Sequence, residues 1–226
     1  MIYLVWGYGI PDNIQTDRNY IGYLDLAFNH IYEHAKDQEA VIIPCGGPTD
    51  CEPPYKRTEA GEMAEYLREL MSRDVRGDAT KKWRLLLEDK SLSTLENMVF
   101  AKRLVDEHKL TGSITIFGTW MGKERRQTVA DHVFGMGRCE LAMIDFDISQ
   151  NRYLDPQLIA EKEARALKES LWTLEDPSRL VRHHERFQKK FAFLRQRQSE
   201  GLSHVDAIKE WYERAPEILK ESELLG

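Results

Sequence analysis

Residues 41–60 read Val-Ile-Ile-Pro-Cys-Gly-Gly-Pro-Thr-Asp-Cys-Glu-Pro-Pro-Tyr-Lys-Arg-Thr-Glu-Ala. Val41–Ile43 is a short apolar, β-branched run, the pattern of a strand buried on both faces. It stops at Pro44, and Gly46-Gly47 follows. Glycines at that point allow positive φ and close approach of a ligand to the main chain. The prolines and Asp50 hold the next ten residues in an ordered, non-helical loop. A helix is expected to start near Thr58 with Glu59 and Glu62 on its first turn. Strand, glycine pair, long loop and carboxylate-bearing helix together suit a ligand-facing edge of an α/β sheet. An ordinary strand-to-helix turn with acids at the helix start would carry the same residues.

The same alternation extends along the chain. Strands are expected at Ile2–Trp6, 41–43, Trp83–Leu87, Ser113–Phe117 and Glu140–Asp145. Helices are expected over Tyr20–Ala35, Thr58–Met71, from about Ser93 to His108, and over Glu124–Phe134. Five strands alternating with helices predict a Rossmann-like, three-layer α/β fold around a parallel sheet. Right-handed crossovers would put each strand-to-helix loop on the carboxyl edge. Gly7 and Gly9, Gly46 and Gly47, Ser91 and Thr94, and Gly118 and Thr119 should then share one rim. Residues 1–149 form this ligand-binding domain, and 150–226 a helical extension, with Asp155-Pro156, Asp176-Pro177 and Ser203/Asp206 as helix starts.

Composition narrows the class. At 226 residues, 42% hydrophobic and 31% charged, the chain suits a globular protein of one α/β domain and an appendage. Residues 1–149 carry 18 Lys and Arg against 24 Asp and Glu, and residues 150–226 carry 14 of each. An acidic main domain argues against general nucleic-acid binding. No apolar run has the length of a membrane span, and Met1 leads directly into a strand pattern, so a cytoplasmic protein is expected. Three cysteines, Cys45, Cys51 and Cys139, fit a reducing compartment, and their spacing predicts no metal site. Cys45 reads as a small buried residue, Cys51 as incidental on an exposed loop.

Candidate site residues follow from the rim. Ser91, Thr94 and Asn97 recur every third residue across a helix start, a seat for phosphate or carboxylate; capping by Ser91 or Ser93 accounts for one hydroxyl. Glu59 could accept from ribose hydroxyls, hold a divalent cation or act as a base. Lys123, Arg125 and Arg126 stand where cations oppose the helix dipole, which asks for an anion. Arg179, Arg182, Arg186, Lys189, Lys190, Arg195 and Arg197 form a basic helix with an apolar stripe of Leu180, Phe187, Phe191 and Leu194. That helix could pack within the protein or join a second copy as a homodimer through the C-terminal helices.

In order, the strand ending in Gly46-Gly47, Glu59-Ala60 opening a helix, Glu88, Ser91-x-x-Thr94-x-Glu96-Asn97, and Thr119 with Arg126 resemble the bacterial YdcF/SanA/ElyC-type family over roughly residues 1–145. Where that family usually has Thr-Ser, His and Arg, this chain has Thr119-Trp120, Lys123 and Arg126; Tyr23 stands where an arginine is often found. The resemblance implies a nucleotide-like ligand, S-adenosylmethionine or another, with Gly7, Gly46, Gly47, Glu59, Ser91, Thr94, Asn97, Thr119 and Arg126 as its binding residues. Three functions stay open. The chain could be a binder of a small anionic ligand on the sheet's rim. It could be a hydrolase or transferase on phosphate or acyl esters, using Glu59, Lys123 and Arg126. It could be a non-catalytic interaction protein acting through its C-terminal helices.

Overall fold

A computed structural model describes residues 1–73, 78–120, 122–144 and 156–224. The chain divides into two compact units, one of residues 1–50 and 56–147, the other of residues 51–55 and 148–226.

The first unit is a five-stranded parallel sheet with helices on both faces, the Rossmann-like three-layer arrangement. Its strands are β1 (Ile2–Trp6), β2 (Ala40–Cys45), β3 (Trp83–Leu85), β4 (Ile114–Thr119) and β5 (Cys139–Ile144). The order across the sheet is β3-β2-β1-β4-β5. Register pairs Trp6 with Cys45 on one side of β1, and Val5 with Phe117 on the other. β3 is shorter than its apolar run suggests, but the pairing resumes beyond it as a bridge between Cys45 and Glu88. The expected end of β5 at Asp145 lies outside the described residues.

The period-two alternation of each buried strand divides the core. Tyr3, Val5, Ile42 and Phe117 face helices α1 (Arg18–Ala35) and α2 (Glu59–Ser72), meeting Leu24, Phe28, Ile31, Met63, Leu67 and Leu70. Ile2, Leu4, Ile43 and Ile116, of opposite parity, are also buried. Helices α3 (Thr94–Glu107) and α4 (Lys123–Phe134) pack on each other, with α3 touching β2 and α4 touching β5.

Caps set the helix starts. Asp17 accepts from the amides of Asn19 and Tyr20, Thr58 from Gly61, and Ser93 from Glu96. Ser93 is therefore the cap of α3, and the Glu96 carboxylate completes the turn by accepting from Leu92 N at 2.6 Å.

The second unit contains α5 (Pro156–Leu174), α6 (Pro177–Ser199) and α7 (His204–Leu224), with α6 packed against both others. Asp176 and Ser203 cap as expected; Asp155 lies outside the described residues. Leu194, Ala207, Trp211, Ala215 and Leu219 form its core, and Cys51 is part of that cluster. Cys51 is 7% exposed, which corrects its reading as an incidental residue on an exposed loop. A small apolar-tolerant thiol is suited to such a place. Three of the basic residues of α6 are ion-paired. Arg179 bonds Glu175, Arg186 bonds Glu169 at 2.5 Å, and Arg197 bonds Glu210 at 2.7 Å.

Candidate functional site at the carboxyl edge of the sheet

Backbone hydrogen bonds tie the strand ends to one another. Gly7 N donates to Cys45 O at 3.1 Å, Gly46 N to Glu88 O at 2.9 Å, and Gly47 N to Ser91 O at 2.7 Å. The carbonyls of Gly46 and Gly47 then accept from the first amides of α2, Ala60 N at 2.8 Å and Glu59 N at 3.2 Å. Two orphan amides of a helix start are satisfied this way, and Glu59 is drawn back over the ends of β1 and β2.

That placement explains the glycines. The Glu59 side chain lies where a Cβ on Gly7 or Gly46 would be, and the Lys90–Ser91 backbone lies where a Cβ on Gly47 would be. The glycine pair thus makes room for a carboxylate and for a neighbouring loop. Glu59 is 7% exposed and accepts from the Thr49 hydroxyl at 2.5 Å. Thr49 was not among the residues singled out from sequence; its spacing two residues after Gly47 is the only signal it leaves there.

Gly47 abuts a second cluster. Glu88 Oε1 accepts from Lys90 N and Ser91 N, both at 3.0 Å, and Glu88 Oε2 lies 2.5 Å from Ser91 Oγ. Ser91 Oγ also contacts Asn97 Oδ1. Ser91 is 1% and Glu88 3% exposed. Burial raises the Glu88 carboxyl to about 7, against the lowering effect of its bonds from Ser91 and Lys90. Ser91 and Asn97 are therefore joined through buried polar contacts, whereas Thr94 is half-buried at the first position of α3. The threefold spacing seen in sequence places two of its three members in one knot around Glu88.

On the other side of β1, Arg126 bonds Thr119 through both its carbonyl and its hydroxyl. Its guanidinium also lies over the Trp6 ring, 5.5 Å from the centroid. Lys123 is exposed, with its ammonium 4.7 Å from the Trp120 ring, while Arg125 is buried.

Tyr23 joins the two sides. Its hydroxyl donates to Trp6 O at 2.9 Å. Burial raises the phenol far above its usual range, the Arg126 charge pulls it down, and Cys45 and Glu59 push it up. Glu59 and Arg126 are thus both within electrostatic reach of one hydroxyl at the centre of the rim. Tyr8 stacks on Tyr20 at 4.1 Å and meets Tyr23 edge-on at 5.9 Å. Tyr20 and Tyr23 lie on a helical stripe that reads from sequence as core, and Tyr8 stands between two glycines after β1, so this trio was not anticipated as part of the rim.

No family model, curated protein or solved structure matches the chain.

Cys45 is fully buried, with its thiol donating to Ile43 O at 3.2 Å and raised well above its usual range by burial. That suits a small core residue rather than a nucleophile. Among the described residues no group of three His, Cys, Asp or Glu side chains could hold a metal ion. No described helix is long and apolar enough to cross a membrane.

Arg57 holds the flanking loops. Its Nε and Nη2 donate to Asp50 at 3.0 and 3.1 Å, and Nη1 donates to the carbonyls of Pro11 and Asp12 at 2.8 and 3.2 Å. The bidentate pair with Asp50 braces the loop after β2, and the Nη1 bonds tie that loop to the loop after β1.

Proposed function

We propose that the protein binds a small anionic, nucleotide-like ligand at the carboxyl edge of its sheet, between the ends of β1 and β4. S-adenosylmethionine, whose carboxylate would be the anionic part although the molecule is a net cation, is the ligand implied by the resemblance to the YdcF/SanA/ElyC-type family. The observation that carries the reading is the strand order. The chain runs outward from β1 through β2 to β3, then returns to the other side of β1 as β4. Loops after β1 and β4 therefore leave in opposite directions from adjacent strand ends, the place where open α/β sheets take ligands.

Charge is distributed to suit such a ligand. Arg126, anchored on Thr119, offers a planar donor to a phosphate or carboxylate. Glu59, steadied by Thr49, is an acceptor for hydroxyl groups. Thermal unfolding of the full chain against a panel of nucleotides and S-adenosylmethionine tests this. A ligand at one hundred times its Kd stabilises by about 2.7 kcal/mol through linkage. The melting temperature should rise with the true ligand, and less so in Arg126→Ala. No shift with any member at millimolar concentration overturns the reading.

A further inference from the structure

Trp120 directly follows β4 and is 53% exposed, the most exposed aromatic side chain among the described residues. An indole left half in water forgoes the largest burial any side chain offers. Two cations flank it. The Lys123 ammonium stands 4.7 Å from its ring centroid, and Arg126 is clasped to the preceding residue, Thr119. Beneath Arg126 lies a second indole, Trp6, whose Nε1 is buried with no hydrogen-bond acceptor among the described residues. One lip of the rim thus offers an open aromatic plane and two positive charges.

A nucleotide is the complementary object: a flat heterocycle joined to an anion by a short linker. Aromatic side chains take bases by stacking, without regard to hydrogen-bonding pattern, and a cation on the ring adds to the contact. We propose that Trp120 is the platform on which the purine ring of the ligand stacks, with Lys123 neutralising the attached anionic group. This rests on the rim reading above and deepens it by naming an adenine-type base as the recognised part.

Calorimetric titration and tryptophan fluorescence on the full chain test it, with AMP, S-adenosylmethionine, adenosine and inorganic phosphate as probes. The wild type should bind the adenine compounds with quenching of its emission. Loss of the stacking surface in Trp120→Ala should weaken them about 10-fold or more, and Trp120→Phe should recover most of the loss. Lys123→Ala should weaken AMP more than adenosine, which keeps the stacking contact and has no anion to lose. Because Trp120 is exposed, Trp120→Ala should unfold at the wild-type urea midpoint. If Trp120→Ala binds the adenine compounds within twofold of wild type, the platform is refuted and the rim reading stands. If the wild type binds phosphate and no adenine compound, the purine assignment falls. If it binds none of the four, the platform and the rim reading fall together.

Discussion

A Cβ on Gly46 would stand 2.5 Å from the Cβ of Glu59, on a backbone held at φ +147°. The two residues are thirteen apart in sequence and form one packed unit, since the first turn of α2 hangs from the glycine carbonyls. Gly46→Ala should therefore destabilise by about 3 kcal/mol, combining overpacking with backbone strain. Urea denaturation of Gly46→Ala, Glu59→Gly and the double variant separates the two parts. Glu59→Gly, which removes the clashing Cβ, should relieve the overpacking in the same chain and leave the φ strain. Strict additivity of the two changes would show that the side chains do not meet.

Arg57 and Asp50 form the other fixed point of the rim. Asp50 is 3% exposed on its side chain and Arg57 29%. Removing the guanidinium leaves a buried carboxylate without its bidentate donor and frees the carbonyls of Pro11 and Asp12. Arg57→Ala should cost about 2 kcal/mol, less than a fully enclosed pair because the arginine keeps some solvent. Amide exchange in residues 10–16 and 48–50 should accelerate, while exchange in β1 and β2 should not. A uniform increase across the sheet would mean that the pair supports global stability only.

Glu88 sets a pH dependence. Its carboxyl titrates near 4.5 when unfolded and at about 7 when folded, because burial penalises the charge. Between those values the folded chain keeps a proton that the unfolded chain has released. Stability should fall as pH rises from 4.5 to 7 and level off beyond, by an amount of order 3 kcal/mol. A proton on Oε2 also resolves the hydrogen count, since Ser91 has one hydroxyl hydrogen and two oxygen neighbours. The protonated acid can donate to Ser91, which then donates to Asn97. Glu88→Gln should lack this slope, so the difference between wild-type and variant urea midpoints at pH 5 and 7.5 reads it directly. Parallel profiles for the two proteins would refute it.

The cysteines should be inert in the native state. Cys45, Cys51 and Cys139 are all free and buried, and burial raises the thiols of Cys45 and Cys139, the latter to about 12. Labelling with a disulfide reagent at pH 8 should proceed at the rate of unfolding, and all three should react at once in denaturant. Cys51 should be released ahead of the others in Trp211→Ala, which empties the cluster around it. Rapid native labelling of Cys45 would contradict the packing at the end of β2.

Much of this was readable from residue order. The alternating apolar runs and amphipathic stretches determined a parallel α/β sheet, because a strand buried on both faces and a helix with one apolar stripe have few ways to pack. Ser93, Asp176 and Ser203 declared their helix starts through local capping chemistry, which needs only neighbours a few residues away. What Gly46 and Gly47 make room for was decided only in three dimensions. Their Cβ positions are filled by Glu59 and by the Lys90–Ser91 backbone, contacts that no local pattern encodes. The raised pKa of Glu88, the burial of Cys51 and the convergence of Tyr23 with Arg126 and Glu59 are of the same kind. Each depends on how much water the surrounding chain excludes, and that is settled by packing between distant segments rather than by the order of residues within one.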